Sequence, residues 1–334
     1  MEIEFEVINS TGVIKLNRPK SLNALNIEMA KQFSEKLNEW EIDENIDRVL
    51  LTGEGNHFCA GGDVKSLVLS KNINNLKQKF FETEYKLNYL ISNFSKKYLT
   101  LWNGVVMGGG VGLSIYGNYR FANETCKFAM PETAIGFFPD VGGSFFLSNI
   151  ENNIGKYLAL TGKIIEIEDI LLLGFATHYY NSNDTKKIIN NYISGEKIEK
   201  YIYDKSKTTK LIEDSKLIKD FFEGNIFSIV KKLSNSKLDF AKITLDILKK
   251  KCPMSLAISC ELLDRAKKKS LKECLEMEYQ LSQKIVYRDD FDTGIKEVLI
   301  TKSNKPLWKP ESIYDISNNE INKMFEFNKF SLNL

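Results

Sequence analysis

Residues Leu99–Tyr119 read LTLWNGVVMGGGVGLSIYGNY, and the reading of this stretch decides the fold. It carries no charge and is long enough to span a bilayer. It also holds six glycines together with Asn103 and Asn118, and glycine is a poor helix former. We therefore read a buried strand, a glycine turn at Gly108–Gly110 and a buried helix to about Gly117, and no membrane partner is expected.

The same alternation extends on both sides. EIEFEVI and GVIKL predict two strands joined by a turn at Asn9–Gly12. Met29, Phe33, Leu37 and Trp40 fall on one face of a helix over Ile27–Trp40. DRVLLTG reads as a buried strand. FCAGGDVKSL turns through Gly61–Gly62 into a helix with Asp63 near its start. Ile73–Phe94 predicts a long amphipathic helix, YLTLWNG a strand, and YRFA and KFAM two short ones. Strands alternating with helices over the first ~180 residues define an α/β domain. From Asn183 the pattern becomes helical, which places a boundary within 181–195.

The chain of 334 residues has 43% hydrophobic and 27% charged residues, a globular composition. A net charge of +2 makes no electrostatic case for nucleic acid. The five cysteines (Cys59, Cys126, Cys252, Cys260 and Cys274) form no CxxC pair, and His57 and His178 are the sole histidines, so no metal site is expected. Scattered thiols suit a reducing compartment. The start, MEIEFEVINS, is acidic and strand-like, unlike a signal or transit peptide. The Lys-rich stretches near 186–187, 231–232 and 249–251 read as solvated faces.

Two glycine turns, CAGGD and MGGGVG, each join a strand to a helix. The first N–H groups of a helix lack internal partners, and two such turns can supply two donors to a developing oxyanion. The alternative is that the glycines only permit close helix–strand packing, and both readings stand. Gly108 and Gly110 are followed by Leu113, so the dinucleotide fingerprint fails, and there is no GK[ST] ending for a phosphate loop. Tyr116 breaks a GxSxG elbow. His57 and Cys59 alternate on one side of a strand without a third orienting group, so packing is the expectation for both. His178 reads as structural, at a helix–turn junction.

Residues 130–143, MPETAIGFFPDVGG, set Glu132 and Asp140 in apolar surroundings. A buried carboxylate is costly unless something compensates it. The stretch is either a surface loop with incidental acids or a site built around them.

In this order, LNRPKSLNAL, FCAGGD, NGVVMGGGVGLS and FAMPETAIGFFPDVGG resemble the crotonase (enoyl-CoA hydratase/isomerase) superfamily. With LKECLEMEYQLSQ and DFDTGIKEVLITKSNKPLWKP, the chain resembles the branch that hydrolyses short β-hydroxyacyl-CoA thioesters. The likeness spans nearly the whole chain and is weakest in 180–240 and at the last few residues. It implies an α/β fold, a crotonase-like spiral of ββα units over 1–185, with a helical C-terminal subdomain over 186–334 that caps the active site. Gly62 and Gly109 match the two backbone donors that hold the thioester oxygen, Glu132 the catalytic carboxylate and Asp140 the second acid. Glu84, in FFETEYKLN, matches an acid that meets the acyl hydroxyl. Ala60, Gly61, Asp63 and Val64 match the backbone around the adenine end of CoA.

The partner so implied is an acyl-CoA substrate, with no further cofactor and no metal. A homo-oligomer is also among the expectations, as is a cytoplasmic location in a bacterium or the mitochondrial matrix in a eukaryote. Hydratases of the superfamily carry a second glutamate on the helix after the glycine triplet, where this chain has Gly112, and a small residue where it has Asp140. The rival readings are a hydratase or isomerase of the same fold and a non-catalytic scaffold. One departure is Lys97, where a proline usually precedes the strand.

Overall fold

β1 (Ile3–Ile8) and β2 (Thr11–Leu16) pair antiparallel, and Asn9 turns the chain at φ 53°, a left-handed position that asparagine tolerates. The computed structural model describes residues 1–70, 75–196, 208–326 and 331–334. β3 (Arg48–Gly53), β4 (Lys97–Trp102), β5 (Val105–Met107), β6 (Tyr119–Ala122), β7 (Lys127–Ala129) and β8 (His178–Tyr179) follow. One sheet has the order β1-β2-β3-β4-β6-β8, parallel from β2 onward, and β5 and β7 form a second parallel pair. Its inner strands are buried on both faces, which is why they read as apolar runs rather than alternations. With the helices between strands this is the expected α/β class, and the region beyond β8 holds no further strand among the described residues.

The helix Ile27–Ile42 begins where Asn26 accepts the N–H of Met29, and it buries Met29, Phe33, Leu37 and Trp40 as their spacing predicts. The long helix runs over Leu76–Asn93; its expected start at Ile73 lies outside the described residues. Lys97 opens β4 without disturbing it. Three expectations need correction. The helix predicted to reach Gly117 is only Gly109–Gly112, because glycine-rich backbone does not sustain one. The segment before it contains β5, too short to show a period. His178 lies in β8, its ring 4.4 Å from that of Phe121, not at a helix–turn junction.

The chain packs into two compact units. The first comprises Met1–Gly62, Lys86–Ala129 and Ile164–Ile212, and carries both sheets. Leu50, Leu99, Leu101, Phe121, Tyr180 and Tyr192 form one of its hydrophobic clusters. The second comprises Asp63–Tyr85, Met130–Lys163 and Glu213–Leu334. Its helices include Pro253–Ala266, opened by proline at the first turn, and Leu271–Ile285, opened by a Ser270–Glu273 capping box. The boundary expected at 185/186 marks a change of element type along the chain, whereas packing groups the residues by contact.

In the first unit the two glycine turns run side by side. Cys59 donates its N–H to Val105 at 3.1 Å and accepts that of Met107 at 3.0 Å. A Cβ on Gly110 would lie 2.4 Å from the Cys59 carbonyl oxygen, so this glycine does serve close packing. Gly110→Ala should destabilise the protein by about 1–3 kcal/mol through overpacking, read from the midpoint of urea unfolding.

Candidate active site

Proline at position 131 precedes a single 3₁₀ turn, Glu132–Ile135, which Gly136 ends in the left-handed conformation at φ 74°. This turn is fixed within the second unit. Cys252 donates its N–H to the Thr133 carbonyl at 2.9 Å, and the Thr133 hydroxyl bonds Leu160. The segment Asp289–Gly294 packs directly on it. A Cβ on Gly136 would lie 2.4 Å from the Asp290 carbonyl oxygen, and one on Gly294 2.4 Å from the Ile135 carbonyl carbon. Backbone therefore meets backbone around Glu132, and the turn has little freedom.

Glu132 and Asp140 are each 5% exposed and Glu84 is 2% exposed. Both acids of the 130–143 stretch are thus buried, and the surface-loop reading falls. Asp140 is held by the Tyr85 hydroxyl, which donates to its Oδ2 at 2.7 Å. Burial pushes the Asp140 carboxyl up to about 7, against the lowering effect of that bond. Glu84 and Glu132 are raised well above the ordinary carboxylate range, by burial first and by the charge of Asp140 second. Glu84 Oε1 and Glu132 Oε2 are buried with no hydrogen-bond partner among the described residues. Such atoms are costly unless a ligand engages them.

Two members of this group escaped the sequence reading. Tyr85 follows Glu84 directly, and a tyrosine in an amphipathic helix reads as core. Glu278 is fully buried and accepts from the Gly142 and Ser144 N–H groups and the Ser144 hydroxyl. Burial pushes it up to about 8, while those bonds pull the other way. A signal did exist for it: Glu278 shares a helical stripe with Cys274, Leu281 and Ile285, all buried. Lys251 corrects a further expectation. It is half-buried rather than solvated; burial lowers its pKa and the charge of Glu132 opposes the shift.

The remaining predicted residues fall as follows. In the first unit the position of a Cβ on Gly61, at φ 117°, is 3.6 Å from the Gly109 nitrogen, so the two turns adjoin. Gly62 bridges to Leu25, and Ala60 donates to the Leu22 carbonyl. Gly109 opens its short helix, where backbone N–H groups have no intrahelical partner. Asp63 caps the helix Val64–Leu69 by accepting the Ser66 N–H at 3.4 Å. His57 and Cys59 are packed in place, His57 Nδ1 accepting from the Val105 N–H at 3.2 Å. A cleft of about 770 Å³ in the first unit, bordered by Gly53, His57, Asn103 and Thr125, includes none of the predicted site residues.

A fold of this topology, with glycine turns at strand–helix junctions and a cluster of buried acids, is in keeping with an acyl-CoA enzyme, and comparison gives the class. The profile of the enoyl-CoA hydratase/isomerase family matches residues 11–325, and the chain belongs to that family. It is 38% identical to the mitochondrial 3-hydroxyisobutyryl-CoA hydrolase of Homo sapiens, over 97% of this chain and 88% of that protein. It is 37% identical to the protein of the same name from Danio rerio, over 97% and 89%. Among solved structures, an enoyl-CoA hydratase from Rhodobacter sphaeroides 2.4.1 superposes with a TM-score of 0.91 at 29% identity, covering 98% of this chain and 97% of that one.

The acids make stability depend on pH. Unfolded, Asp140 ionises near its ordinary value of 3.8; folded, it holds its proton to about 7. The native state therefore binds more protons, and the stability this contributes is complete below 3.8 and lost as pH rises through about 7. The melting temperature should decline between pH 5 and 7, measured by differential scanning fluorimetry. Asp140→Asn should make that decline shallower.

Proposed function

We propose that the chain hydrolyses 3-hydroxyisobutyryl-CoA to 3-hydroxyisobutyrate and CoA, a thioester cleavage on the route of valine breakdown. The observation that carries this is the pairing of Glu132 with Asp140 as buried acids in one unit, beside the hydrolase names of the curated relatives. In this reading the amides of Gly62 and Gly109 receive the thioester oxygen as it gains charge, and each such donor contributes about 3–4 kcal/mol. Glu132 either attacks the carbonyl carbon, expelling the CoA thiolate and leaving an anhydride that water then hydrolyses, or takes the proton of a water that attacks that carbon. Both routes use the unpartnered Oε2 and require Glu132 to give up the proton that its burial favours. Asp140, immobilised by Tyr85, orients water and delivers the proton that the departing thiolate takes up. Glu84 bonds the acyl hydroxyl through Oε1. Ala60, Gly61, Asp63 and Val64 border the adenine end of CoA, which enters as part of the substrate. The expected setting is the mitochondrial matrix in a eukaryote or the cytoplasm in a bacterium.

A hydratase is disfavoured by Gly112, which leaves no carboxylate on the helix that follows the glycine triplet. A non-catalytic role is disfavoured by the same unpartnered acids, which are costly to bury for no use. Thiol release across a panel of acyl-CoA thioesters, with crotonyl-CoA hydration run alongside, tests the reading. Release from the 3-hydroxyisobutyryl thioester is expected; crotonyl-CoA hydration in its place would reverse the assignment.

Glu132→Gln preserves size and removes the charge. It should lower kcat by about 10² or more for a lost base, with little change in the Kd of a product analogue. Turnover above a tenth of wild type would remove Glu132 from the mechanism. Glu84→Gln should impair the β-hydroxyacyl substrate more than the plain acyl one, seen as a changed ratio of kcat/KM, since only the former loses a hydrogen bond.

A further inference from the structure

Asp140 begins a turn that the backbone resists. Val141 sits at φ 53°, in the left-handed region that β-branched residues avoid, and Gly142 follows at φ 81°. The turn closes where Gly143 donates its N–H to the Asp140 carbonyl at 2.7 Å. Strained backbone of this kind persists only where the surroundings over-determine it.

One side chain does so. Glu278, at 0% exposure on the helix Leu271–Ile285, accepts the Gly142 N–H on Oε2 at 2.7 Å. Its Oε1 accepts the Ser144 N–H at 2.9 Å and the Ser144 hydroxyl at 2.5 Å. All three donors belong to residues 142–144, immediately after the strained valine. A buried carboxyl is expensive, and an apolar residue would fill this helix position without that cost. We propose that Glu278 is a positioning residue: by clamping residues 142–144 it holds Val141 in the left-handed conformation and so fixes Asp140 against Tyr85. The proposal rests on the reading of Asp140 as a working acid.

The test uses the full chain, with kcat and KM from thiol release and thermal melts to verify folding. In Glu278→Gln the amide nitrogen meets an N–H donor, so the clamp loses a bond and gains a donor–donor clash. We expect kcat to fall tenfold or more with KM within twofold. Ser144→Ala, which removes one hydroxyl bond, should give a smaller fall in the same direction. Glycine adopts the left-handed backbone without resistance. In a Val141→Gly background the Glu278→Gln change should therefore cost less than threefold in kcat.

A Glu278→Gln kcat within twofold of wild type would overturn the proposal. So would matched changes in kcat and KM, or the same loss with and without Val141→Gly, which would mean that Glu278 acts through its charge. If Glu278→Gln does not fold, an unchanged kcat in Ser144→Ala overturns it. Asp140→Asn separates the two levels: wild-type turnover there sinks the reading of Asp140 itself. Loss there beside an unaffected Glu278→Gln sinks the positioning role alone.

Discussion

The hydrogen bond from Tyr85 to Asp140 Oδ2 sits inside a group of buried carboxyls. Five acids are buried among the described residues (Glu84, Glu132, Asp140, Glu278 and Asp290), and all belong to the second unit. Removing a carboxylate from water is among the most expensive acts in folding, so the way each is compensated separates their duties. Asp290 has the Arg288 guanidinium at 3.3 Å and the Lys309 N–H at 2.7 Å. Glu278 has three donors from one turn. Asp140 has the tyrosine. Glu84 and Glu132 each keep an oxygen with no partner. Asp290 and Glu278 are thus fully occupied by the chain itself, Asp140 is held on one oxygen, and Glu84 and Glu132 each leave an oxygen open.

That arrangement depends on backbone surfaces meeting closely. Gly136 and Gly294 bring Asp290 and Ile135 into contact distances that any β-carbon would forbid. Lys77 extends the same constraint, bonding both the Val286 carbonyl and the Asp292 carboxylate at 2.7 Å. The 3₁₀ turn of Glu132 is thus positioned by residues about 160 positions further along the chain. Preorganisation of this sort matters because a displacement near 1 Å is enough to slow a reaction by about a hundredfold.

Much of this was legible beforehand, and what was not has physical reasons. Period and turn chemistry located the helix Ile27–Ile42, the buried strands and the two glycine turns, since each is a local property. Glu132 and Asp140 stood out because an acid in an apolar run is anomalous wherever it lies, whereas Glu84, in a polar helical stretch, was marked only by the family resemblance. β5 was missed because three residues carry no period. Tyr85 was missed because a tyrosine is at home in any core, and only its partner, 55 residues away, reveals its use. Glu278 broke an apolar stripe visibly, yet the turn it serves is 134–136 residues distant, and no linear pattern joins the two.

The fold alone does not name the chemistry, since a structure entitled an enoyl-CoA hydratase superposes on this chain with a TM-score of 0.91. Addition of water across a double bond and attack of water on a thioester can share one oxyanion pocket, because both develop charge on the same carbonyl oxygen. They part over where the second acid stands. Gly112 is buried in a four-residue helix and brings no carboxylate there, so hydration chemistry from that position has no proton carrier. In the proposed reading that duty falls to Asp140, whose carboxyl burial raises to about 7. On that reading the two chemistries differ in whether the second acid stands on the glycine helix or on the strained turn that Asp140 begins.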